Sequence, residues 1–291
     1  MKKKIVLFSL IMVILTLSFF ATVFTIKIVN IKNQALSIEQ TLGVWWWSEE
    51  NSEEYLNFAK KNGVDEIYYC NTSFDENTAK FIKNANKLNI KVFALWGEKE
   101  WCNDRTNFDV LMQKYLSFNQ NNTAKFNGVH LDIEPHQFED FKDNRNNYLL
   151  KLVDFVYKTK EMYGEIEFHY DIPFWFDDEV KHEETTKKVY EHIIDCCSKV
   201  VVMSYRDTAE KIYSISKDEI EYANSAGKQI SVSVNMTSNE GDNVSFQEEN
   251  KEVLNTELEK LSSVISINFS VAIHHIKTWY NLPHGIKVLG L

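Results

Sequence analysis

From Leu42 onward the chain alternates between short strand-like runs and amphipathic helical stretches, eight times over. This repetition constrains the fold more than any other feature of the sequence. The strand-like runs are Leu42–Trp47, Glu66–Asn71, Lys91–Trp96, Gly128–Glu134, Ile166–Ile172, Val200–Tyr205, Gln229–Asn235 and Ile267–His274. Helical spacing of apolar residues marks Glu53–Lys61, Glu76–Leu88, Phe108–Asn119, Asn147–Tyr163, Thr186–Cys197, Ala209–Ala226 and Phe246–Ser262 between them. Strands separated by helices pair in parallel, and eight such units predict a closed (β/α)8 TIM barrel rather than an open sheet. Gly63, Gly164 and Gly227 each stand where a helix should close before the next strand. Little chain remains after Trp279, so the eighth helix must be short.

Before the barrel the sequence changes character. Lys2, Lys3 and Lys4 precede an apolar run from Ile5 to about Ile26. A run of roughly 20 apolar residues is long enough to span a bilayer, and a basic start marks export. The expectation is a signal anchor, a transmembrane helix over residues 1–26. A stalk follows over 27–40, and a catalytic barrel over 41–291. Lysines ahead of the span place the barrel outside the cell, single-pass, or secreted if the signal is cleaved at a site such as Ala21. The membrane is thus one expected partner. Nucleic acid is not expected, because the formal net charge is −10 and phosphate binding needs clustered cations. No glycine-rich turn follows the first strand, which disfavours a dinucleotide, and no cofactor is implied. Of the four cysteines, Cys196 and Cys197 are adjacent and poor partners for each other, whereas Cys70 and Cys102 fall near strand ends and could pair. No Cys/His spacing suggests structural zinc.

Strand parity locates a site. Val129, Leu131 and Ile133 share one face of the fourth strand, and His130, Asp132 and Glu134 share the other. The apolar face belongs against helices, so the polar face turns into the barrel, whose C-terminal mouth is where such folds place active sites. The interior set continues with His169 and Asp171 on strand five, Met203, Tyr205 and Asp207 on strand six, Asn235 on strand seven and His274 on strand eight. Residues two apart on a strand are about 6.5–7 Å apart, so Asp132 and Glu134 share one cavity. Sharing raises the pKa of one carboxyl while the other stays charged. A carboxyl kept protonated is the general acid that glycosidic cleavage requires. Glu134, at the strand tip, is the expected acid/base, with Asp132 orienting it or stabilising positive charge. A buried ion pair with Arg206 or a histidine is the bland alternative. Trp45, Trp46 and Trp47, Trp96, Trp175 and Trp279 sit near strand ends, where flat rings suit sugar faces, and at least one of the first three belongs in the core. Trp45, Trp96 and Trp279 join the expected substrate-binding set.

The segment Asn127-Gly128-Val129-His130-Leu131-Asp132-Ile133-Glu134 resembles the fourth-strand signature of glycoside hydrolase family 18, Asp-Gly-x-Asp-x-Asp-x-Glu. Met203-Ser204-Tyr205 resembles that family's sixth-strand Met-x-Tyr, and Trp279 sits where it keeps a tryptophan after strand eight. The resemblance implies a divergent chitinase or endo-N-acetylglucosaminidase-related barrel. In it Glu134 would donate the proton, and Asp132 and Tyr205 would hold the substrate N-acetyl group as it attacks the anomeric carbon. Asn127 and His130 replace the first two aspartates of the signature, and Asp207 lies one residue later than the aspartate that usually follows the tyrosine.

Three other readings stay open at this point. A two-carboxylate glycosidase would draw its second carboxylate from Asp171. A metal-dependent deacetylase or amidase could take ligands from His130, Asp132, His169, Asp171, His274 and His275. A non-catalytic carbohydrate-binding barrel would need only the aromatics.

Overall fold

The computed structural model describes residues 40–47, 52–238 and 241–283. The expected anchor, and the stalk up to residue 39, lie outside them. No helix among the described residues is long and apolar enough to cross a membrane.

Eight parallel strands close into a barrel in the order β1-β10-β9-β8-β5-β4-β3-β2. They are β1 (Leu42–Trp46), β2 (Glu66–Cys70), β3 (Lys91–Trp96), β4 (Gly128–Leu131), β5 (Phe168–Pro173), β8 (Lys199–Met203), β9 (Gln229–Asn235) and β10 (Ser270–His274). The helices are α1 (Ser52–Lys61), α2 (Glu76–Lys87), α3 (Thr106–Asn121), α4 (Arg145–Tyr163), α5 (Val189–Cys196), α6 (Ala209–Ser225), α7 (Lys251–Val264) and the short α8 (Ile276–Asn281). Gly63 and Gly227 close α1 and α6 with φ of 76° and 68°, a left-handed geometry open to glycine at no steric cost.

Alternation along the strands separates two apolar regions. Val92, Ala94 and Trp96 of β3 face the helix layer, together with Val129 and Leu131 of β4. Trp45, Tyr68, Phe93, Leu95, Val201 and Ala272 fill the barrel interior. Gly43 makes room there, since a Cβ at this position would lie 2.4 Å from the Tyr68 hydroxyl.

The structure departs from the sequence reading at a hairpin. Antiparallel β6 (Glu179–His182) and β7 (Thr185–Lys188) precede α5, where the sequence reading starts a helix at Thr186. Thr185 and Thr186 are β-branched and favour extended backbone, and Glu183 takes the turn at φ 50°. All four cysteines are free, and Cys102 is buried.

Candidate active site

The interior is built in three levels. At the N-terminal floor, Lys199 Nζ lies 2.7 Å from Glu66 Oε2 and 2.8 Å from Thr41 Oγ1, with both charged side chains shut from solvent. His169 belongs to this level. Its Nε2 meets Glu167 Oε1 at 3.1 Å, and its ring packs on Phe93 at 4.1 Å. It was expected at the substrate, but it is fully buried beneath the layer that would separate it from any sugar.

The middle level holds Trp45, His130 and Asp171. Trp45 Nε1 donates to Asp171 Oδ2 at 3.1 Å, and Asp171 Oδ1 lies 2.8 Å from His130 Nε2. The His130 ring stacks on Tyr68 at 3.8 Å. Trp45 is 1% exposed and His130 0%, so both support the mouth from below rather than line it. Burial, reinforced by Lys199, lowers the His130 pKa to about 3.

The upper level is the mouth. β4 leaves the ladder after Leu131, and the Asp132 amide donates back to the Trp96 carbonyl at 2.9 Å. Pro135 then opens a 3-10 turn, Pro135–Gln137. This exit lifts Asp132 and Glu134 above the strand end. Asp132 is half-buried, and its Oδ1 is shut off without a hydrogen-bond partner. Burial raises its pKa well above the ordinary range, and neighbouring Asp171 and Glu134 push the same way. Glu134 is also half-buried. Burial raises its pKa, opposed by a hydrogen bond from the Gln137 side-chain amide. His136 Nε2 stands 3.3 Å from Glu134 Oε1. Burial, with Arg145 nearby, lowers the His136 pKa. The Arg206 guanidinium turns away, donating to the Tyr205 carbonyl at 2.7 Å and lying over Phe174.

Tyr205 faces the same acids. Burial raises its phenol pKa, and so do Asp171, Asp132 and Glu134. Its ring lies 6.0 Å from that of His274. Trp47 Nε1 donates to His274 Nε2 at 3.2 Å, so His274 carries its hydrogen on Nδ1, 3.3 Å from Asn235 Oδ1. Asn235 is held in turn by the Thr237 amide and hydroxyl, at 2.9 and 2.7 Å. Burial, with His275 alongside, lowers the His274 pKa to about 4. Met203 ends β8 half-buried. Asp207 stands beyond it, with Lys211 Nζ 3.4 Å away.

Two tryptophans expected at the sugar stand elsewhere. Trp96 belongs to the helix-facing side of β3 and donates to the Asn71 carbonyl at 3.0 Å. Its parity with Val92 and Ala94 is the signal that gives this away. Trp279 lies in α8, packed edge-on against Phe58 of α1 at 5.0 Å. Trp47, 40% exposed, is the tryptophan of the triple that reaches solvent. It lines a pocket of about 480 Å³ with Gln247, His275 and Thr278. Sequence reasoning missed His136 and Gln137, for which the turn after Glu134 was the available clue. Among the described residues, no three His, Cys, Asp or Glu side chains converge as a metal site.

No protein-family model and no curated protein matches the chain. Solved structures do. The spore cortex-lytic enzyme SleL of Bacillus cereus aligns with a TM-score of 0.51 at 10% identity, over 83% of this chain and 73% of that one. The family 18 chitinase ChiB of Flavobacterium johnsoniae aligns at 0.48 and 11%, over 82% and 89%. The glycoside hydrolase domain of PelA from Pseudomonas aeruginosa aligns at 0.47 and 9%, over 80% and 95%. At such identities the likeness is one of fold: this chain is a TIM barrel similar in architecture to that of the cortex-lytic enzyme SleL.

Proposed function

We propose that the barrel is an extracytoplasmic glycoside hydrolase that cleaves a cell-wall or extracellular glycan, with an N-acetylated sugar favoured. The observation that carries this reading is the pair of half-buried carboxyls, Asp132 and Glu134, lifted above the end of β4 with raised pKa values and faced by Tyr205. Glu134, the more open of the two at the strand tip, is the general acid that protonates the departing glycosidic oxygen. Asp132 accepts from the N–H of the 2-acetamido group and turns the acetyl oxygen toward the anomeric carbon, while the Tyr205 hydroxyl steadies that oxygen. The bond from anomeric carbon to leaving oxygen breaks as the bond to the acetyl oxygen forms. Glu134, now ionised, takes a proton from the water that opens this cyclic intermediate and regains its acid form. The resemblance of the fourth-strand segment to the family 18 signature supports these roles, and the fold likeness to SleL is compatible with them.

The basic start and long apolar run support placement at the membrane with the barrel outside, or a secreted form if that segment is removed. Hydrolysis of N-acetylated glycans and peptidoglycan by the full chain, with Glu134→Gln alongside, tests the reading. Loss of at least about a hundredfold in the variant supports the acid role. Binding without cleavage by both proteins would make this a binding barrel. Activity that survives the variant and disappears with chelator would make it a metal hydrolase.

A further inference from the structure

The end of the barrel that carries the two acids has a second concavity, which the proposed reaction does not use. A pocket of about 480 Å³ opens among Trp47 after β1, Ile276, Thr278 and Asn281 of α8, and Gln247 in the turn Phe246–Glu248 after β9. That size lies within the roughly 300–1,000 Å³ of small-molecule sites. Its walls are held from behind. Trp47 Nε1 donates to His274 Nε2 at 3.2 Å, which restrains the indole while 40% of the residue stays exposed. The Ser245 hydroxyl ties the Gln247 turn to the end of β9, donating to the Asn235 carbonyl at 3.3 Å and accepting from the Gln247 amide at 3.0 Å. Phe246 and Ile276 are buried and anchor the two flanks. The Thr278 hydroxyl is spent on His275, accepting from its amide at 3.2 Å and donating to its carbonyl at 3.0 Å. Gln247 and Asn281 bring side-chain amides to the pocket, and Asn281 turns its Nδ2 onto the Lys277 carbonyl at 2.8 Å, which leaves its oxygen as the acceptor. His275 and Lys277 complete the wall, and no carboxylate among the described residues lines it. A cationic ligand is therefore not what the pocket is built for. An indole face with amides around it suits an uncharged pyranose, whose C–H face packs on the ring while its hydroxyls bond to the amides.

One side chain connects this pocket with the mouth. The His274 ring stands 6.0 Å from that of Tyr205 and 6.0 Å from that of Trp47. In the closed barrel β10, which carries His274, lies across from β4, whose exit carries the two acids. An acid at Glu134 protonates the departing oxygen, so the leaving part of the glycan lies on its side of the scissile bond. The sugars attached through the anomeric carbon then run away from Glu134, past Tyr205 and His274, toward Trp47. We propose that the Trp47 pocket is a remote subsite for an uncharged pyranose unit on the non-reducing side of the scissile bond, and that the barrel therefore cleaves within a glycan chain rather than removing its terminal unit. The direction of the chain rests on reading Glu134 as the general acid; the pocket itself does not. A sugar held there adds binding energy far from the reacting bond, which selects chains long enough to reach it.

Nitrophenyl glycosides of N-acetylglucosamine oligomers of increasing length test this on the full-length protein, because the chromophore is the leaving group and every added sugar extends the non-reducing side. In the wild type kcat/KM should climb with length and level off once the pocket is filled, the filling step being worth about tenfold. Gln247→Trp puts bulk into the pocket from a turn that holds none of the reacting groups, and Trp47→Leu removes the platform. Both should erase the filling step, through KM rather than kcat. Calorimetry of the plain oligomers on the Glu134→Gln protein should show affinity that rises over the same lengths, and adding Gln247→Trp should abolish the rise. An unchanged length dependence in both variants, each folded as the wild type, would overturn the proposal. So would release of single sugars from the non-reducing end of a long oligomer. If the wild type cleaves no oligomer, the acid reading fails, while calorimetry still decides the pocket: affinity that climbs with length and falls with Gln247→Trp supports a sugar site there, and its absence overturns one.

Discussion

Lys199→Met should destabilise the barrel by about 3–5 kcal/mol, the cost of removing one partner from a buried ion pair. Its Nζ contacts Glu66 Oε2 at 2.7 Å and Thr41 Oγ1 at 2.8 Å, with side-chain exposures of 0% for Lys199 and 3% for Glu66. Removing the ammonium leaves a carboxylate in the barrel floor with the Tyr68 hydroxyl as its remaining donor, at 3.2 Å. For a domain of this size, each kcal/mol moves Tm by about 2–4 °C, so a drop of about 6–20 °C is expected. Glu66→Gln should cost a similar amount by stranding the lysine. The double variant is electrically neutral and retains an acceptor for Tyr68, so it should lose less than the sum of the singles. The pH dependence has a defined sign. Burial alone would raise the Glu66 pKa, but Lys199, aided by His169, outweighs it and holds the value below normal. The contribution is therefore present above the unfolded-state pKa and lost as pH falls through the folded one. Urea unfolding followed by circular dichroism across the acid range reads all of this. A single variant that costs less than about 1 kcal/mol, or strict additivity in the double, would refute the argument.

Three further outcomes follow from the mouth. The Gln137 amide holds the Glu134 pKa down against burial, so Gln137→Ala should move the alkaline limb of kcat/KM to higher pH; a shift downward would contradict the acid assignment. A Cβ at Gly97 would fall 1.9 Å from the Asp132 carbonyl oxygen. Gly97→Ala should therefore cost about 1–3 kcal/mol of stability and about a hundredfold in rate through displacement of Asp132, and an undiminished rate would place Asp132 outside the chemistry. Trp47→Ala removes an exposed ring beside the cavity and a donor to His274. KM for a glycan chain should rise severalfold with kcat little changed, and an unaltered KM would remove Trp47 from the binding surface.

Periodicity carried much of the fold. Lys91–Trp96 and Gln229–Asn235 run in the structure between the ends that alternation gives them, because each has one side against helices and the other in the interior. The β6–β7 hairpin escaped because the apolar spacing of Val189, Tyr190, Ile193 and Ile194 belongs to a helix that starts three residues later than it suggests. In the site, parity identified which side chains turn inward. It did not give their depth. His130 and Asp132 have the same parity, yet one is sealed and the other half-open, because the strand leaves the ladder between them. Residue type misled for tryptophan: a large ring at a strand end serves the helix layer at Trp96, the interior at Trp45 and solvent at Trp47. The contact of Asp171 with His130 and Trp45 joins three strands that are far apart in sequence. Spacing within one strand carries no information about it.

The three levels deal with one physical problem in different ways. A carboxyl inside a barrel must be paired, neutralised or left under electrostatic stress. Glu66 is paired, with a lysine 2.7 Å away that lowers its pKa. Asp171 is sealed in, with one oxygen accepting from the Trp45 N–H and the other without a hydrogen bond, and burial raises its pKa well above normal. Asp132 has neither remedy. Its Oδ1 is buried without a partner, and two further carboxyls raise its pKa. The two lower levels are sealed from solvent, whereas Asp132 and Glu134 stand half-buried at the opening, where a ligand can reach them. Stress of that kind has a use only where a ligand can relieve it. An N–H donor to Asp132 and a basic oxygen for the Glu134 proton are what a bound 2-acetamido sugar and its glycosidic linkage would supply. The same groups therefore destabilise the empty barrel and favour the proposed substrate.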